Sequence, residues 1–186
     1  MSIIPITQQS VQYRVNEAYP GDWTSDRGSV TLSAVSKIAV GDLPIGGGVF
    51  PMANPDTVTA NSTTPTALNT QVVGFVLRNQ APAVMPGLSN FYQAVPDSQT
   101  SSIATAGSLA TIATGVNATG TPDHSPAYGD LVWVNLTTGL VATAPSSITA
   151  VTGYALATGW VVTKQSFYNE RVPVSAPTVL IEITKV

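Results

Sequence analysis

Between Arg78 and Lys164 the chain has no lysine or arginine, and Thr, Ser, Asn and Gln fill the polar positions instead. Over the whole sequence charged residues make up 9%, against about 25% in an ordinary soluble domain. Two physical states tolerate so little charge. One is a disordered chain, but disorder goes with low hydrophobicity and high net charge. Here Val, Ile and Leu are frequent and the formal net charge is −3. The other is a folded chain much of whose surface is not free surface, because the cores of protein interfaces are depleted in charge and enriched in aromatics. The composition favours this second state over a merely Thr-rich β domain.

The apolar residues come in short β-branched runs with turn formers between them, the pattern of strands. "DLVWVNL", "TTG" and "GLVATA" read as strand, tight turn and strand, and Asp130 is the only ionisable side chain in residues 129–144. "SVQYRV" alternates, with Val11, Tyr13 and Val15 on one face and Gln12, Arg14 and Asn16 on the other. "SVTLSAVSKIAV", "QVVGFVL", "SLATIAT", "TGYALATGWVVTK" and "TVLIEITKV" are of the same kind. Clusters such as "AYPGDW", "GDLPIGGG", "MANPDT" and "NATGTPDHSPAYGD" mark the turns. Two short helices come into consideration, in "SDRGSVTLSAVS" and in "AVMPGLSNFYQAV", the latter interrupted by Pro86 and Gly87.

The expected fold is therefore mostly β: a single β-barrel or β-sandwich domain with an extended N-terminal arm and long loops. Residues 1–36 form the arm and lead-in, and residues 37–186 the β domain. Residues 53–70 read as a long polar loop whose core candidates are Val58 and Leu68, and loops of that length are usually functional or mobile. "GDLPIGGGVF" running on to "VVGFVL" is echoed by "GDLVWVN" running on to "VTGYAL". Two similar β units and a chance likeness between hairpins both account for this echo.

Reactive chemistry is scarce. Cysteine is absent, which excludes disulfides and thiolate metal sites. His124 is the one histidine. Asp123 or Asp130 with a serine could complete a triad around it, but no G-x-S-x-G elbow is present, and a zinc site needs more ligands. Most of the carboxylates sit beside Gly or Pro, where Asp caps turns. "IGGGVF" lacks the Lys and Ser/Thr of a phosphate loop, so Gly46 to Gly48 mark a bulge or a close backbone approach. Asn61, Asn117 and Asn135 each begin an N-x-S/T triplet, expected by chance in a chain so rich in Thr. No catalytic residue, cofactor or metal is expected. Without a basic stripe no nucleic-acid partner is expected either. No apolar run approaches a membrane span, and "MSIIPITQQSVQYRV" lacks a signal-peptide pattern, so the expected place of synthesis is the cytoplasm. Trp133, inside "LVWVNL", is expected in a core or lining a barrel, and Trp23, after Pro20-Gly21, in an intersubunit contact.

The order of motifs resembles the structural cement, or head decoration, proteins of tailed bacteriophages. The matching features are "AYPGDW", "LPIGGGVF", "VVGFVL", "GSLATI", "GDLVWVN" with "TTG", "VTGYAL" and "VLIEIT", spread over most of residues 14–186. The resemblance implies a small non-enzymatic virion protein on the outer face of the capsid. It would bind the major capsid protein, clamp neighbouring subunits and form a homo-oligomer, a trimer rather than a dimer. Alternatives are another virion β component, such as a tail or fibre module, and a carbohydrate-binding β-sandwich. Candidate contact residues are Ile3, Ile4, Ile6, Val11, Tyr13, Tyr19 and Trp23. The first five belong to an apolar, alternating arm suited to adding a strand to a neighbour's sheet edge, with Pro5 confining the pairing to one side.

Overall fold

A computed structural model describes residues 18–24, 33–64, 67–78, 94–164 and 177–185. Its strands are β1 (Ser33–Ala39), β2 (Leu43–Pro44), β3 (Gly48–Pro51), β4 (Thr57–Thr59), β5 (Gly74–Val76), β6 (Ala94–Val95), β7 (Thr100–Ala106), β8 (Ser108–Val116), β9 (Pro122–His124), β10 (Leu131–Asn135), β11 (Val141–Ala144), β12 (Tyr154–Lys164) and β13 (Thr178–Lys185). No helix occurs among the described residues. The fold is mostly β, as the alternating runs require.

Two closed rings account for most of it. In the first, β1 pairs with β4 in parallel, and the pairs β4–β3, β3–β5, β5–β7 and β7–β1 are antiparallel. In the second, β8 pairs with β11 in parallel, and β11–β10, β10–β12, β12–β13 and β13–β8 are antiparallel. The order round the ring and the sense of every pairing are the same. β9 extends the second ring at β8, and β2 with β6 forms a separate two-strand ribbon. The echoed segments occupy matching places, "GVF" in β3 and "GFV" in β5 of the first ring, "LVWVN" in β10 and "YAL" in β12 of the second. The echo therefore marks two similar β units, and the expected barrel is present twice.

Strand alternation explains how the rings join. Val49, Val76 and Ile103 point into the first ring, with Leu43 and Val58. Their neighbours Phe50, Phe75 and Ala104 point the other way and share a core with Leu109, Val132, Val134, Trp160 and Ile181 of the second ring. Phe75 meets Trp160 edge-on, with ring centroids 4.8 Å apart. Burying a phenylalanine in such a joint is worth roughly 1.5–3 kcal/mol. Glycine makes the approach possible: a Cβ on Gly48 would lie 2.4 Å from a Val134 methyl. The Gly48 N–H also donates to the Gly139 carbonyl at 2.8 Å. The glycine run thus serves a close backbone contact.

Residues 53–70 are not a loop throughout, against the expectation from their polar composition. β4 lies within that segment, Val58, Thr59 and Ala60 are buried, and Leu68 is 64% exposed. Three residues between polar neighbours are too few to show a period, so the strand was invisible until its partners β1 and β3 were in place. The helix considered in "SDRGSVTLSAVS" is strand from Ser33 onward, and its earlier part and all but Ala94 and Val95 of "AVMPGLSNFYQAV" lie outside the described residues. The sequence boundary at residue 36 falls inside β1. The three N-x-S/T triplets share one conformation, in which the asparagine Oδ1 accepts the N–H of the residue two places on. The distance is 3.0 Å at Thr63, Thr119 and Thr137. These are side-chain-closed turns that bound strands.

Candidate interaction surface

Residues 18–24 show how the chain reaches the second ring. Tyr19-Pro20-Gly21-Asp22 is a type II turn: the Asp22 N–H donates to the Tyr19 carbonyl at 2.9 Å, and Gly21 takes φ +80°, which this turn demands at its third position. The Asp22 carboxylate accepts the Tyr19 N–H at 2.9 Å. Beyond the turn the chain lies along β8. Gly21 N–H donates to Ala110 O (2.8 Å), Ala110 N–H to Asp22 O (2.9 Å) and Thr24 N–H to Ser108 O (3.1 Å). From the first ring, Arg78 N–H donates to Gly21 O at 2.9 Å. The Arg78 guanidinium lies over the Tyr19 ring, 4.3 Å from its centroid, and 3.6 Å from Asp22 Oδ1. Tyr19 is thereby held in place, while Trp23 presents an indole that is 50% exposed. Arg78 has no sequence signal linking it to Tyr19, and only the fold brings the two together. Ile3, Ile4, Ile6, Val11 and Tyr13 lie outside the described residues.

Beside this turn runs an apolar groove of about 380 Å³ between the rings, lined among others by Pro20, Pro44, Ile45, Ile112, Leu140 and Val141. Leu140, at 57% exposure, stands on the turn that joins β10 to β11. The lining contains no ionisable side chain. A surface of this chemistry suits an apolar contact matched by shape.

The first half of β1 is a further exposed feature. It pairs with β7 along its length, but with β4 only at Ile38 and Ala39. Ser33 to Ser36 are exposed, and Val35 and Ile38 are 39% and 42% exposed. The Lys37 ammonium bonds to the Pro55 carbonyl at 2.6 Å. At the end of β1, the Gly41 N–H donates to Asp97 Oδ1 at 2.8 Å. This bond, with further ones from Ser98, holds the Asp97 carboxyl below the usual value of 3.8.

The sequence candidates for a reactive centre do converge in part. His124 Nδ1 lies 2.5 Å from Asp123 Oδ1, and its Nε2 lies 3.6 Å from Asp130 Oδ2. Asp130 also accepts the Ala127 N–H at 2.9 Å, so the group ties the loop after β9 to the start of β10. Both imidazole nitrogens face carboxylates, and among the described residues no serine hydroxyl is bonded to the ring. Among the described residues no group of three or more His, Cys, Asp or Glu side chains is placed to hold a metal ion.

Comparison with known proteins places this architecture. A family model described as "Structural cement protein (E217 gp24/Pam3 gp6)" matches residues 7–184. A chain in the solved structure of the capsid of Myoviridae phage XM1 is similar with a TM-score of 0.56 at 13% sequence identity, over 100% of this chain and 98% of that one. At such low identity the likeness concerns the fold. No curated protein matches the chain.

Proposed function

The chain belongs to the structural cement protein family, and from that premise we propose that it coats the outer face of a tailed-phage capsid, binds the major capsid protein and clamps neighbouring subunits without catalysing a reaction. The family match over residues 7–184, nearly the full sequence, is the observation that carries this reading. The surface chemistry agrees with it. A half-exposed Trp23, Leu140 at the rim of an uncharged groove and the exposed apolar residues of β1 supply contact area. Few ions need be stripped of water when such surfaces close, which removes a penalty that buried charge incurs. Modest contacts repeated over many copies then sum to a large stabilisation of the shell.

In this reading the part of residues 1–36 that precedes β1 acts as an arm and lead-in, and Ile3, Ile4, Ile6, Val11 and Tyr13 pack on a neighbour while Tyr19 and Trp23 anchor the point where the arm departs. The protein assembles as a homo-oligomer, a trimer in preference to a dimer. Purified protein added to undecorated shells should bind to a saturating stoichiometry and raise the temperature at which the shells break apart. Shells that take up none of it, or take it up without gaining stability, refute the cement role. A variant lacking residues 2–12 should keep its β circular dichroism and stay off the shells. Full occupancy by that variant overturns the arm.

A further inference from the structure

The duplicated ring order allows one half of the molecule to be read against the other. In the second ring, the edge of β8 that faces β11 is divided between two partners. β11 takes Ala113 to Gly115, and residues 21–24 take Ser108 and Ala110, antiparallel, with Trp23 opposite Leu109. The matching strand of the first ring is β1, and the matching partner is β4, which takes only the end of the strand. Ile38 N–H donates to Asp56 O and Val40 N–H to Val58 O, both at 2.9 Å. On the other side Ala39 N–H donates to Gln99 O beside β7. Backbone groups alternate along a strand, so Ala34 and Ser36 point their N–H and C=O to the same side as Ile38, away from β7. Among the described residues nothing pairs with them there. Among the described residues, the position that residues 21–24 fill on β8 has no counterpart on β1.

We infer that this edge of β1, at Ala34 and Ser36, accepts residues 11–16 of a second copy as an added antiparallel strand, an assignment that rests on the arm reading above and names its acceptor. Exposed edges are normally guarded by a charge, a proline or a cover. Here the one charge on β1, Lys37, is turned aside onto the Pro55 carbonyl, and Ser33 to Ser36 carry none. The donor matches in kind: "SVQYRV" alternates as a strand must, and no residue before Arg14 has a charged side chain. Val11, Tyr13 and Val15 would lie on the face of the exposed Val35, which leaves Gln12, Arg14 and Asn16 on the face of Ser36. A second copy is the occupant because the molecule's own lead-in is already committed to β8, and because a strand passed between molecules links them directly.

The sequence contains no cysteine, so an engineered pair reports a single contact. Protein carrying Ser36→Cys is mixed on shells with protein carrying Gln12→Cys, Arg14→Cys or Asn16→Cys, and oxidised. At least one mixture should give a heterodimeric disulfide, since strand neighbours meet the geometry of that bond. Only Ser36-to-Ser36 dimers, or no cross-link in any mixture, overturn the inference. So does a double variant whose disulfide closes within one chain. Ser36→Pro supplies an independent measurement, because it deletes an N–H directed away from β7 and spares the ladder there. With the β spectrum unchanged, shell affinity should fall at least about tenfold, equivalent to one or two net hydrogen bonds. If Ser36→Pro decorates fully while the arm deletion does not, the acceptor assignment fails and the arm reading stands. If both decorate fully, both fail. Should Ser36→Pro not fold, the cross-links alone decide.

Discussion

Replacing Gly48 with alanine probes the joint between the rings. The added Cβ would lie 2.4 and 2.7 Å from the two γ-methyls of Val134, far inside van der Waals contact. Both strands are pinned, β3 by its bond to Gly139 and β10 by β11 and β12, so neither can simply move off. Overpacking of this kind costs about 1–3 kcal/mol. Removing a glycine offsets part of it, because the unfolded chain loses freedom worth about 0.4–1 kcal/mol. The net expectation is a loss of about 1–2 kcal/mol, or roughly 0.5–1 M in the urea midpoint for a slope near 2 kcal/mol/M. Val134→Ala alone removes two methyls at roughly 0.8 kcal/mol each and leaves a void. Combined, the two changes should cost little more than Val134→Ala by itself, since the new methyl enters the space the old ones left. Urea titration followed by tryptophan fluorescence reads all three variants, with Trp133 and Trp160 both buried in the second ring. A Gly48→Ala protein within about 0.5 kcal/mol of the parent, or a double variant whose losses add within that margin, refutes the close-packed joint.

Other outcomes can be checked separately. Trp23→Ala should change folding stability by less than about 0.5 kcal/mol, as exposed sites do, yet weaken shell binding by about 2 kcal/mol or more if the indole is a contact anchor; equal effects on both measurements contradict that role. Arg78→Ala removes the cation above Tyr19 and the partner of Asp22, a partly exposed pair worth at most about 1 kcal/mol, and should speed hydrogen exchange at the Gly21 and Thr24 amides. Unchanged exchange there means that the backbone bonds alone hold the turn. The Asp97 carboxyl lies below its unfolded value, so its contribution is present above about pH 4 and fades as pH falls through the folded value; Asp97→Asn should be less stable at neutral pH and converge with the parent at the acid end, and parallel acid-unfolding curves exclude this. Shell-bound protein should remain bound at about 1 M salt, where the screening length is about 3 Å, and its release would reveal ion pairs in the interface.

The hairpin from β10 to β11 was legible because each of its parts carries a local signal. Its β-branched runs alternate, and Asn135 closes the turn by accepting the N–H groups of Thr137 and Thr138. The glycine run was legible as a close approach, although the partner, Val134, was not. Trp133 is buried in a small cluster with Val116 and Val151, as its place inside an apolar run suggests. What escaped depends on long-range pairing. β4 pairs with β1 in parallel and with β3 in antiparallel sense, and its three residues, "TVT", are too few to show a period despite their β-branched side chains. The candidate surface is of the same kind. Trp23 was readable as a candidate from its turn, but the groove exists only where Pro44 and Ile45, just ahead of β3, meet Ile112 and Leu140 of the second ring.

The order of the rings along the chain has a consequence for synthesis. The first ring is complete when β7 ends at Ala106, before β8 begins at Ser108, whereas the second waits for β13, which ends at Lys185. At about 5–20 residues per second, the ribosome adds the intervening residues in roughly 4–16 s. During that interval the first ring can close, but Phe50 and Phe75, which look out of it toward a partner not yet made, stay uncovered. The nascent protein thus passes through a half-built stage with a sticky aromatic face, and the same side chains that weld the finished molecule are then its point of greatest exposure to aggregation and to chaperones.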